Sequence, residues 1–168
     1  MIPPAPPHLS GPLAIWRLDQ DRHAATWDSG EGAFLVGGRW NSAGVRAVYT
    51  SLDPSTAILE VAVHKGFRVL DTVAHILTKA TLSDPSVVRV VTIADIPNPN
   101  WLLPGIPSAG QQSFGDALLQ KYPVIALPSV VSTHSWNLIF DPAAAKGLYG
   151  GVAQEPFALD TRLHPPAR

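Results

Sequence analysis

The chain predicts an α+β fold: a single compact domain around a mixed, mainly antiparallel sheet. Three observations carry this. Apolar, β-branched runs outnumber the helical periodicities and do not alternate strictly with them, which disfavours a doubly wound parallel sheet. The 168 residues suffice for one substantial core, and neither a linker nor an internal repeat divides them. Hydrophobic residues make up 46% and charged residues 15%, a balance too apolar for disorder.

Taken in order, residues 1–13 are rich in proline and read as a short extended arm. Ala14–Leu18 is the expected first strand. Residues 30–38 hold four glycines and read as a tight, backbone-directed loop. Arg46–Ser51 is a second strand. A helix follows: Asp53 can accept from the orphan amides of its first turn, Pro54 suits the first helical position, and Gly66 stops it. Apolar residues at 57, 58, 59, 61, 62 and 63 surround its axis, which predicts burial on most faces. Val87–Ile93 is β-branched and reads as a strand. Residues 98–112, with three prolines and two glycines, read as a loop, and Phe114–Lys121 as a short helix. Tyr122–Val131 and Ser135–Phe140 form a strand pair, Pro156–Leu159 a last short strand, and residues 163–168 a tail. The folded domain is thus expected over residues 14–162.

Composition excludes several functions. Twelve basic against thirteen acidic residues leave no electrostatic footprint for direct nucleic-acid binding. No apolar stretch is long enough to span a bilayer, and the first residues lack the pattern of a signal peptide. The absence of cysteine removes disulfides and thiolate zinc sites and fits a cytoplasmic protein. The six histidines show no metal-ligand spacing, so no metal is expected.

The most informative residue is Glu60, the sole charge inside the apolar helix that follows Pro54. A carboxylate there loses hydration unless something pairs with it or uses it. The structural alternative is an ion pair with Arg17, Arg39 or Arg46. His64, four residues on, lies on the same side of the helix and reads as a residue that favours the helix end. Gly37-Gly38-Arg39-Trp40-Asn41 is the second informative segment. Its glycines permit close backbone approach, Arg39 offers a fork for phosphate or carboxylate, and Trp40 a stacking surface. It is neither a phosphate loop nor a dinucleotide fingerprint. Tyr49, on the strand before the Glu60 helix, supplies an aromatic face and a hydroxyl. Ser129 lacks the setting of a hydrolase nucleophile and suits a hydrogen-bonding role toward a carboxylate or substrate.

In this order the pieces resemble the RES domain, the toxin half of bacterial toxin–antitoxin pairs whose antitoxin is an Xre-type helix-turn-helix protein. The resemblance runs through Trp16-Arg17-Leu18, Gly37-Gly38-Arg39-Trp40-Asn41, Ala47-Val48-Tyr49-Thr50-Ser51 and Ala57-Ile58-Leu59-Glu60-Val61. It continues in Phe114-Gly115-Asp116-Ala117, Leu127-Pro128-Ser129-Val130-Val131 and Asn137-Leu138-Ile139-Phe140-Asp141-Pro142. It implies a fold similar to ADP-ribosyltransferase toxins and a site that acts on NAD. Arg39, Tyr49, Glu60 and Ser129 would be catalytic. Arg17, Arg39, Trp40, Asn41, Tyr49 and Asn137 would bind NAD, which is substrate rather than cofactor. It also implies the antitoxin partner and a homodimer within that complex. Two segments depart from the family pattern: Thr133-His134-Ser135-Trp136, where an acidic residue is usual, and Asp141-Pro142 followed by Ala143-Ala144-Ala145, where Asn-Pro and a histidine are usual. Three outcomes share the expected chemistry, namely NAD hydrolysis, phosphorolysis and ADP-ribosyl transfer to a protein. The rival from another class is a non-catalytic binding module with Glu60 and Arg39 as a buried pair; a phosphoesterase or nuclease is the weaker enzymatic rival.

Overall fold

Seven strands, several of them short and apolar, build one sheet. The computed structural model describes residues 4–163, so most of the expected C-terminal tail lies outside the described residues. The strands are β1 (Leu13–Gln20), β2 (Val48–Ser51), β3 (His75–Leu82), β4 (Val88–Val90), β5 (Val124–Pro128), β6 (Trp136–Phe140) and β7 (Tyr149–Phe157). Their order in the sheet is β4-β5-β6-β2-β1-β3-β7. Only β4 and β5 run parallel; every other pair is antiparallel, which makes the sheet mixed, as expected. The helices are α1 (Glu31–Val36), α2 (Pro54–Lys65), α3 (Phe67–Thr72) and α4 (Ala109–Lys121). None is long and apolar enough to cross a membrane.

Alternation sends side chains to two cores. Leu138 and Phe140 of β6 join Leu13, Ile15, Val48, Ala80, Leu82 and Ala126 on one face. Ile139, Ile125 and Leu127 point to the other, where Trp40 and Leu119 of α4 cover them. A third cluster, Leu18, Ala62, Leu70 and Leu77, seats α2 and α3 on β1 and β3. The sheet has a seam. β1 pairs with β3 along all eight residues, but with β2 only through Trp16 and Ser51.

Several elements differ from expectation. The glycine-rich stretch is not all loop: residues between its glycines form α1, with Gly30 and Gly37 in left-handed backbone as its two caps. The α2 helix has the expected ends, with Asp53 accepting from the Thr56 amide and Gly66 at the C-cap. It is not buried on most faces, however. Only Thr56, Ala57 and Ala62 are buried, and Val63 is 60% exposed, because the sheet covers one side of the helix only. The strand expected over Val87–Ile93 shrinks to β4 between 3-10 turns. The 98–112 loop contains a 3-10 turn, Pro99–Leu102, and α4 begins five residues before Phe114. β3 was not anticipated. Nor was the length of β7, nine residues including two glycines and Pro156; as a sheet edge it needs partners on one side only. Residues of the proline-rich arm dock onto β6, where the Trp136 indole donates to the Ala5 carbonyl at 2.9 Å.

Candidate active site

Glu60 reaches the sheet from the middle of α2, and neighbours distant in sequence claim one of its oxygens. Ser129 Oγ, just past β5, donates to Oε1 at 2.9 Å, and Asn137 Nδ2, on β6, donates to the same oxygen at 2.5 Å. Both donors are themselves oriented. Ser129 Oγ accepts the Ser132 amide at 3.0 Å, which turns its own hydroxyl hydrogen toward the carboxylate. Asn137 Oδ1 accepts from Ser51 Oγ at 2.8 Å, across the β2–β6 pair in which Ser51 and Asn137 stand opposite each other. The alternative, an ion pair, is not what holds Glu60 among the described residues. Arg17 pairs with Asp19 and Arg46 with Glu31, while Arg39 spends hydrogen bonds on two carbonyls, Gly105 at 2.8 Å and Trp101 at 3.4 Å. The second carboxylate oxygen makes no hydrogen bond among the described residues.

Arg39 nonetheless lies within the field of Glu60. Burial lowers the affinity of its guanidinium for the proton, and the charge of Glu60 acts in the opposite sense. Its position follows from the loop after α1. There the Gly38 amide bonds the Asn41 carbonyl at 2.9 Å, and Gln112 of α4 donates to the Gly38 carbonyl at 2.9 Å. Gly38 has no room for a side chain, since a Cβ would stand 2.5 Å from the Tyr49 hydroxyl and 2.6 Å from Asn41 Oδ1. Gly115 on α4 gives the Trp40 backbone similar clearance, and Asp116 accepts the Ser42 amide at 3.0 Å. The Phe114-Gly115-Asp116 segment therefore clasps the arginine loop. Gln112 carried no signal in the sequence, and neither did the carbonyls of Trp101 and Gly105.

Tyr49 joins that loop to the sheet. Its hydroxyl donates to Asn41 Oδ1 at 2.7 Å and accepts the Trp40 amide at 3.0 Å, and burial raises its pKa, so the phenol stays protonated. The hydroxyl is thus occupied, and what Tyr49 can offer a ligand is its ring. Trp40 is 2% exposed and packs against Phe114. Asn41 is fully buried, with its amide shared among the carbonyls of Ala33, Ser42 and Val45. Both side chains are turned into the protein and organise the loop. Arg17 is held by both carboxylate oxygens of Asp19 and donates to the Tyr49 carbonyl at 2.8 Å. It therefore braces the poorly paired seam between β1 and β2. His64 is exposed in the last turn of α2, as expected for a helix-end residue.

The segment after Asp141 is a turn, and Thr133-His134-Ser135 is a turn that runs into β6 at Trp136. Asp141 accepts the amides of Ala143 and Ala144, and Ala145 is core, while Ser135 bonds Ser132 beside Ser129. Two open surface concavities, one beside Gln20 and Val73 and one under the arm, are lined by other residues than Glu60, Arg39 and Tyr49. Among the described residues no group of three acidic or histidine side chains is disposed to hold a metal.

Fold and site together define a class: single-domain α+β proteins in which an arginine is electrostatically coupled to a helix-borne glutamate over a seam in the sheet. The sequence matches the RES domain family over residues 14–160, and the chain belongs to that family. It is 30% identical over 155 residues to "Toxin Res" of Photorhabdus laumondii, covering 90% of this chain and 97% of that protein. It is 32% identical over 145 residues to the "Prs ADP-ribosylating toxin" of Sphingobium sp., covering 80% and 87%. Among solved structures it resembles a chain of the M. tuberculosis MbcT–MbcA toxin–antitoxin complex. The TM-score is 0.72 at 19% identity over 88% of this chain and 85% of that one, a likeness of fold.

Proposed function

We propose that the protein is the toxin of a toxin–antitoxin pair and cleaves the nicotinamide–ribose bond of NAD. The observation that carries this reading is Glu60. One oxygen is held by two oriented donors, and among the described residues no cationic side chain pairs with it and the other oxygen is unclaimed. A carboxylate so arranged suits a cationic transition state. As the C1′–N bond breaks, its electron pair goes to the pyridinium nitrogen, nicotinamide leaves neutral, and positive charge develops on the ribose. The free oxygen of Glu60 faces that charge or holds the 2′-hydroxyl. Nicotinamide is a good leaving group, so no strong general acid is needed. Arg39 clamps the pyrophosphate with the donors it does not give to Trp101 and Gly105. The ring of Tyr49 shapes the nicotinamide–ribose pocket. Ser129 and Asn137 act through Glu60, and Arg17 supports the wall. Water as acceptor completes hydrolysis, and inorganic phosphate completes phosphorolysis.

A second reading, transfer of ADP-ribose to a host protein, is favoured by the similarity to the Prs ADP-ribosylating toxin of Sphingobium. The partner would be an Xre-type helix-turn-helix antitoxin that covers the mouth around Arg39, with a homodimer of the toxin inside a cytoplasmic complex. The test is mass spectrometry of the products formed from NAD by the purified protein, with and without phosphate and lysate. Free nicotinamide with ADP-ribose, or with its phosphorylated counterpart, supports cleavage, and a protein adduct supports the second reading. Intact NAD under every condition refutes both.

A further inference from the structure

We propose that Ser51 is a positioning residue for Glu60, acting through Asn137. A carboxylate oxygen accepts hydrogen bonds, so the Asn137 atom 2.5 Å from Glu60 Oε1 is the amide nitrogen. The other end of that amide is therefore Oδ1, and the Ser51 hydroxyl 2.8 Å from it is the donor. Ser51 is 2% exposed, so water cannot readily replace it at this end of the amide. The three groups form a one-way chain, Ser51 to Asn137 to Glu60. Each bond in such a chain polarises the next, which strengthens the Asn137 donation and fixes its rotamer. The site of Ser51 is set by the sheet. It stands opposite Asn137 on β6 and, on its other side, is the only β2 residue paired with β1, opposite Trp16. Ser51 thus pins the carboxylate to the strand-paired point of the seam between β1 and β2. With Oε1 fixed in this way, Oε2 has a defined direction toward the substrate.

This assignment rests on the NAD-cleaving reading above, and its test separates the two. Nicotinamide release is measured for the full chain and for Ser51→Ala, Ser51→Thr, Asn137→Ala and the Ser51→Ala/Asn137→Ala double variant, each checked for folding by circular dichroism. Ser51→Ala is expected to lower kcat on the order of ten- to a hundred-fold with little change in KM, the signature of a misplaced reacting group. Ser51→Thr keeps the hydroxyl and recovers most of the rate. In the Asn137→Ala background the Ser51 change has no further effect, because the link through which it acts is already gone. An unaltered kcat in Ser51→Ala, a rise in KM alone, or full additivity with Asn137→Ala overturns the assignment. Should Ser51→Ala unfold, Ser51→Cys keeps a side chain of the same shape with a larger, weaker donor and the same comparisons are made on it. A wild-type protein that releases no nicotinamide overturns the NAD reading and this assignment with it. Wild-type turnover with Ser51→Ala undiminished overturns the assignment alone.

Discussion

Replacing Glu60 with glutamine separates charge from shape. The glutamine carbonyl can occupy the place of Oε1 and keep accepting from Ser129 and Asn137, which stand 2.9 and 2.5 Å away. Those bonds weaken to neutral strength, about half that of a charge-assisted bond. The fold should lose about 1 kcal/mol, a fall in Tm of roughly 2–4 °C for a domain this size. The catalytic effect is far larger, because the other oxygen becomes an amide that cannot stabilise positive charge on the ribose. Removing one group aimed at developing charge costs about 10²–10³ in kcat, which corresponds to roughly 3–4 kcal/mol in the barrier. The assay is chromatographic nicotinamide release at saturating NAD, with a melting curve on the same sample. Near-normal turnover by folded Glu60→Gln protein would falsify the electrostatic role. A collapse of the melting temperature instead would show that the carboxylate serves the fold.

Other changes should separate in their signatures. Arg39→Lys keeps the charge but not the planar fork held by Trp101 and Gly105, so KM for NAD should rise with kcat less affected, as initial-rate kinetics would reveal. Gly38→Ala puts a methyl 2.5 Å from the Tyr49 hydroxyl; both melting temperature and NAD affinity should drop, and an unchanged protein would show that the loop is not rigid. Tyr49→Phe keeps the ring but strands Asn41 Oδ1 and the Trp40 amide, and denaturant unfolding should show a loss of about 1–3 kcal/mol. The raised pKa of Tyr49 has a signed consequence. The unfolded phenol ionises near pH ~10 while the folded one resists, so this contribution is whole below that pH and is lost as pH climbs toward the folded value. Wild-type Tm should therefore fall more steeply above pH ~10 than that of Tyr49→Phe. In cells, expression alone should arrest growth and lower NAD, and co-expression of a helix-turn-helix antitoxin should restore both; healthy growth with abundant protein would argue against a toxin.

Signals local to a few residues were legible in the chain itself. The ends of α2 follow from Asp53, Pro54 and Gly66, whose capping and conformational preferences act within one turn. The β5–β6 pair follows from two dense apolar runs joined by a short polar turn. The oddness of Glu60 is equally local, a charge in an apolar helix, and Gly37-Gly38-Arg39 announces a place where backbone and cation must come close. What Glu60 touches was not legible. Ser129 and Asn137 lie 69 and 77 residues away and arrive only because β6 sits beside β2, with β5 on its far side. Trp40, Asn41 and Arg17 are engaged within the protein, Asn41 and Arg17 by partners close in sequence. Each has a side chain suited to a ligand, and each has protein partners, in the core, in the carbonyls of Ala33, Ser42 and Val45, and in Asp19. β3 escaped notice because its buried positions break strict alternation, and β7 because Gly150, Gly151 and Pro156 disguise an edge strand. Propensity and capping are properties of neighbouring residues and travel with the sequence. Which donor reaches which acceptor depends on strand order, and strand order is settled by packing the whole core at once.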